Sequence, residues 1–117
     1  MSQRQERYAK LVQAELATLI SREIKDPRVA DAGLVTITSV TVTNDLSVAK
    51  IAVVLHGGDP QKQKDLIIGL NRAAPFLRAE LRRRTDSKKT PELRFELDHS
   101  VDDADQVEAI LKSLKPA

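Results

Sequence analysis

A chain of 117 residues with 41% hydrophobic residues suits one domain with a modest core and is too short for two. It carries no cysteine, which rules out disulfide staples and cysteine-ligated zinc, and its net charge of +2 decides nothing about partners. No apolar run nears the roughly 20 residues of a membrane-spanning helix, and Met1 to Lys10 is polar, so the chain reads as soluble and cytoplasmic.

Residues 3–24 have the spacing of an amphipathic helix, with Tyr8, Leu11, Val12, Leu16, Leu19, Ile20 and Ile24 as its apolar stripe. Arg4, Arg7, Lys10 and Arg22 fall largely off that stripe. Asp26-Pro27 ends the helix, because a residue before proline is pushed out of the helical region. Residues 34–43 are rich in β-branched side chains and read as a strand. Its apolar parity shifts from Val35 and Ile37 to Val40 and Val42, which a bulge near Thr38-Ser39 explains, as would burial of both faces. Thr43 to Ser47 is a turn, and residues 48–55 are the returning strand, with Ile51, Val53 and Leu55 on one face. The short link makes the pair an antiparallel hairpin.

After the loop His56 to Pro60, residues 61–73 read as a helix carrying Leu66, Ile67 and Leu70. Pro75 interrupts it and suits the first position of a further helix, 75–84, with Phe76, Leu77 and Leu81 turned inward. Thr85 to Thr90 is a basic loop. Residues 92–98 alternate as a third strand, with Leu93, Phe95 and Leu97 on one side. Residues 102–114 form a short helix with Val107, Ile110, Leu111 and Leu114 inward and Asp102, Asp103 and Asp105 at its start. The order α-β-β-α-α-β-α predicts a single α+β domain over 1–117: a three-stranded sheet with helices on one face, its core at about 4–98.

Charge is unevenly spread. Residues 60–94 hold ten Lys or Arg against four Asp or Glu, whereas 95–117 hold two against six. A basic face for a polyanion, with an acidic segment beside it, is the functional reading; a solvated mixed surface is the plain one.

Three stretches are the most specific: Glu23 to Arg28, reading EIKDPR; Thr36 to Lys50, reading TITSVTVTNDLSVAK; and Pro91 to Asp98, reading PELRFELD. Together and in this order they resemble the ribosome-binding factor A family, from about Arg4 to Asp98 and more loosely to Leu114. The resemblance implies a KH-like domain of the second topological type. It also implies an assembly factor that binds the free small ribosomal subunit near the decoding region and the 5′ end of its 16S rRNA; nothing in the sequence demands an oligomer, so a monomer is expected. Such a factor supports late maturation and 5′-end processing of that RNA, notably in the cold, and is itself neither nuclease nor enzyme. The family's two central helices meet at an Ala-x-Gly kink. Here Ala73-Ala74-Pro75 holds that place, and proline forces by steric clash the bend that glycine merely permits, at the loss of one backbone donor.

The strongest chemical feature is the set Arg78, Arg82, Arg83 and Arg84, followed by Lys88 and Lys89. Helical spacing puts Arg78 and Arg82 on one face, and the planar guanidinium fork suits phosphate. The competing reading is a solvated helix end. Arg72, just before the kink, is expected near the same edge. Lys25 and Arg28 flank Asp26-Pro27 as a second candidate RNA patch; equally, both complement the dipole of the helix they end. The aromatics Tyr8, Phe76 and Phe95 all fall on expected core faces, so recognition should rest on phosphates and shape rather than on stacked bases.

His56 and His99 lie in separate loops, no nucleophile sits in a recognisable elbow, and no phosphate-binding loop is present. The acidic run Asp98 to Asp105 lacks the glycine and terminal Glu of a calcium loop. No metal, cofactor or small-molecule substrate is therefore expected. A protein–protein adaptor, its basic patch meeting an acidic partner, is the alternative function.

Overall fold

Six elements follow one another in the computed structural model, which describes residues 1–85 and 89–99. They are α1 (Gln3–Glu23), α2 (Pro27–Ala30), β1 (Leu34–Val42), β2 (Val48–His56), α3 (Pro60–Arg84) and β3 (Glu92–Leu97). The helix expected over 102–114 lies outside the described residues.

Helix α1 starts with a capping box. The Ser2 hydroxyl accepts from the Gln5 amide at 3.2 Å, and the Gln5 side chain accepts from the Ser2 amide at 2.8 Å. The buried side-chain Nε2 of Gln5 then donates to the Val42 carbonyl at 2.8 Å, which fixes the first turn of α1 against the end of β1.

β1 and β2 pair antiparallel, β2 and β3 pair parallel, and the sheet order is β1-β2-β3. Helix α3 is thus the crossover that a parallel pair requires. The pairing shifts between Ile37 and Ser39, so Thr38 is the extra residue of a bulge. Its hydroxyl donates to the Ala52 carbonyl, and the Gln13 amide donates to Ile37, both at 3.2 Å. The bulge lets residues of opposite parity meet the helices: Val40 and Val42 in the core, Val35 and Ile37 packed at its margin. The opposite face of β1 and β3 carries exposed Thr36, Thr38, Glu92, Arg94 and Glu96.

Two findings correct the sequence reading of α3. The helices expected on either side of Pro75 are one, running unbroken from Pro60 to Arg84 with Pro75 inside it. A proline there removes one backbone bond and costs about 3 kcal/mol. Leu66, Leu70, Leu77 and Leu81 are fully buried. At roughly 1.5–3 kcal/mol each, their burial exceeds that cost several-fold. The stripe Leu66, Leu70, Ala74, Leu77, Leu81 continues unbroken past Pro75, which itself faces solvent. The second correction is Phe76, expected in the core but 45% exposed. With about 100° between successive helical residues, Phe76 and Leu77 cannot both face the middle of one stripe. Leu11 in α1 is displaced from its stripe in the same way by Val12 and is also exposed.

The short helix α2 was not anticipated. Asp26 caps it by accepting from the Arg28 amide at 3.0 Å, and Pro27 occupies its first turn. Val29 of α2 is buried against α3 at Gly69, where a Cβ would come within 2.8 Å of Val29 Cγ2. The other edge of β3 is covered by Asn71 of α3. Its amide nitrogen donates to the Phe95 carbonyl at 3.1 Å, and its oxygen accepts from the Phe95 amide at 2.9 Å. One side chain thereby satisfies an edge strand on both backbone groups.

Candidate nucleic-acid interface

The last turns of α3 and the segment entering β3 enclose an open depression lined by Pro75, Arg78, Ala79, Arg82, Arg83, Lys89 and Thr90. Four of the nine cations singled out in the sequence therefore meet there. Arg82 and Arg83 are exposed, and Arg83 reaches Glu80 only at 3.5 Å with its own side chain 78% exposed. An ion pair this open is weak, so the guanidinium stays available to an outside anion. Three arginines at the last turn also suit the helix dipole, which draws positive charge to a C-terminus.

Arg78 has a second duty. Its Nε and Nη2 donate to the Thr90 carbonyl at 3.2 and 2.9 Å, tying the approach to β3 onto α3. A guanidinium has five N–H donors, so three remain to face the depression. Among the described residues, the Thr90 hydroxyl is buried without a hydrogen-bond partner. Arg84 turns away toward α1, where it meets Glu15 at 3.7 Å. Lys88 lies outside the described residues.

The basic surface continues beyond this depression. The Tyr8 hydroxyl of α1 donates to the Lys89 carbonyl at 3.3 Å, and Tyr8 also lines a neighbouring hollow with Gln3, Arg4, Arg7, Leu11 and Leu46. Local spacing marks Arg4 and Arg7 only as off-stripe charge. They share a hollow with Tyr8, and the contact of Tyr8 with Lys89 is a tertiary one that no local pattern encodes.

The second patch is electrically different. Arg28 clamps the Asp26 carboxylate through Nε and Nη2, the shortest contact being 2.5 Å. This hydrogen bonding from Arg28, with further help from the charge of Arg72, lowers the Asp26 pKa to about 2. Arg28 therefore brings little net charge to the surface, while Lys25 beside it is exposed. Arg72, expected near the Arg78 edge, sits close enough to Asp26 to act on it, and so belongs with the Lys25–Arg28 group. Gly69 lies against the Arg28 side chain one turn earlier on α3. From Arg72 to Arg82 the helix rises about 15 Å, so the two cationic groups stand at two levels of one helix.

The turn joining β1 to β2 is held by Asp45, which accepts from the Ser47 hydroxyl at 2.7 Å, the Thr43 hydroxyl at 2.9 Å and the Ser47 amide at 3.1 Å. These bonds lower its pKa to about 2, with a smaller contribution from Lys89. Among the described residues no helix is long and apolar enough to cross a membrane.

Comparison with known proteins agrees with this architecture. The family model described as ribosome-binding factor A matches residues 4–111. A ribosome-binding factor A of Desulforamulus reducens is 44% identical over 114 residues, 97% of this chain and 92% of the relative. That of Caldanaerobacter subterraneus subsp. tengcongensis is 39% identical, covering 97% and 91%. The crystal structure of ribosome-binding factor A from Thermus thermophilus superposes with a TM-score of 0.67 at 26% identity, covering 80% of this chain and 93% of that one. A homology model of the Thermus thermophilus factor, fitted into a cryo-EM map of its complex with the 30S subunit, gives a TM-score of 0.53 at 27% identity, covering 76% and 93%. Family match, sequence relatives and fold coincide: this chain belongs to the ribosome-binding factor A family.

Proposed function

We propose that this chain binds the free small ribosomal subunit by placing the Arg78–Arg82–Arg83–Lys89 depression against phosphates of 16S rRNA. It acts there as a non-catalytic, monomeric, cytoplasmic factor in late maturation of that RNA, including its 5′ end, with most effect in the cold. The observation that carries the reading is the convergence of four cations from α3 and the β3 approach on one open depression. The fit of a relative's homology model into a cryo-EM map of its 30S complex supports the partner. Phosphate contact releases counterions, supplies affinity without reading sequence, and suits a surface of folded RNA. Arg4 and Arg7 extend the basic surface along α1, and Lys25 with Arg72 adds a second foothold; Arg28 serves mainly to hold Asp26.

Cosedimentation tests this. Purified chain should pellet with small subunits and not with large subunits or whole ribosomes, and nuclease digestion of the RNA should release it. Retention on a digested, protein-only remnant would favour an adaptor that meets an acidic protein instead. Precursor 16S rRNA incubated with the chain alone should stay uncut.

A further inference from the structure

We propose that Phe76 is a stacking platform for one unpaired nucleobase in a strand whose phosphates, a few nucleotides apart, lie on Arg72 and Arg83. The inference rests on the phosphate-binding reading and adds a base contact to it. Of the three aromatics, Phe95 is buried in the core and Tyr8 is half-buried with its hydroxyl directed to the Lys89 carbonyl. Phe76 is 45% exposed on α3, next to exposed Pro75, which lines the cationic depression.

Its neighbours along the helix are what single it out. Arg72 precedes it by four residues and Arg83 follows it by seven, spacings that return to the same face of a helix. The ring therefore stands between the two cationic groups, about 6 Å above Arg72 and about 10 Å below Arg83 along the axis. Glu80, also on this face, meets Arg83 only in an open pair at 3.5 Å, which an arriving phosphate would displace. An apolar ring flanked by guanidinium groups matches a base carried between two phosphates. An acidic peptide would need an aromatic side chain of its own at the same spacing, whereas every nucleobase brings a π-face between its phosphates. Stacking on an aromatic ring is tolerant of base identity and contributes to single-strand affinity independently of charge.

The test uses the full chain and two probes of equal length, about twelve nucleotides: a single-stranded RNA and the same backbone without bases. Phe76→Leu keeps an apolar side chain and should keep the fold, checked by circular dichroism. We expect it to bind the base-bearing RNA about tenfold more weakly and the abasic strand as the parent does, with the salt slope unchanged for both. Phe76→Trp should bind both strands like the parent, and its indole fluorescence should be quenched by the base-bearing strand alone. Equal affinity of Phe76→Leu and parent for the base-bearing RNA overturns the stacking claim while leaving phosphate binding intact. Equal losses on both probes assign Phe76 a structural role and also overturn it. Failure of the parent to bind either probe removes the phosphate reading on which the claim stands, and the claim with it.

Discussion

Gly69→Ala isolates the contact that seats α2, and with it Lys25 and Arg28, on α3. In an unobstructed helix the substitution stabilises by about 1 kcal/mol, because alanine restricts the unfolded chain and favours helix. Here the added methyl would lie 2.8 Å from Val29 Cγ2 and 3.2 Å from Arg28 Cβ. Arg28 can yield through its long stem, but Val29 is 4% exposed and its branched Cβ holds one rotamer, so it must move bodily with α2. Overpacking of that kind costs about 1–3 kcal/mol. The net is a destabilisation of about 1 kcal/mol, or about 4 °C in Tm for a domain this size. Thermal melts followed by circular dichroism read it directly. The variant should melt lower than the parent, and Gly69→Ala placed in a Val29→Ala background should recover most of its own penalty. A Tm above the parent's in the single variant would mean that helix propensity acts alone there and that α2 does not approach α3 this closely.

Asn71→Ala should cost about 1–3 kcal/mol by leaving both backbone groups of Phe95 unsatisfied at the sheet edge, with faster hydrogen exchange at the Phe95 amide as its local signature. Unchanged exchange there would refute the edge-cover role. Thr90→Val should be neutral or stabilising by about 1 kcal/mol, since it removes a buried hydroxyl that has no partner; a marked fall in Tm would show that the hydroxyl is in use. Asp26 and Asp45 both have folded pKa values of about 2 against an ordinary 3.8, so their contribution is complete above the unfolded value and is lost as pH falls through about 2. Asp45→Asn should therefore lower Tm at pH 7 and matter least near pH 2; a deficit independent of pH would point to a cause other than the carboxylate's charge.

The hairpin and its bulge were legible because β-branched residues change parity once, at Thr38, and only one register then keeps both halves of β1 on the helices. The apolar stripe of α3 was legible too, but Pro75 was given more weight than the leucines around it. Treated as two short helices, residues 75–84 seemed to place Phe76 inward; treated as one, the stripe passes through Ala74 and Leu77 and leaves the ring outside. Helix α2 carries a readable signal, Asp before Pro at a helix start, but the same pair equally marks the end of α1. The charged site was legible as composition but not as wiring. That Arg84 turns to Glu15, that Arg78 binds the Thr90 carbonyl and that Tyr8 reaches Lys89 all depend on contacts between residues far apart in the chain.

The central claim is that exposed arginines on the last turns of α3 replace counterions on small-subunit RNA. Affinity for purified small subunits, measured across about 50 to 200 mM salt for the parent and for the Arg82→Gln/Arg83→Gln variant, tests it most directly. The account predicts a steep parental dependence, with the variant weaker at every salt and its log–log slope shallower by about 1.5. Superimposable lines for the two proteins, or a parental affinity indifferent to salt, would contradict it.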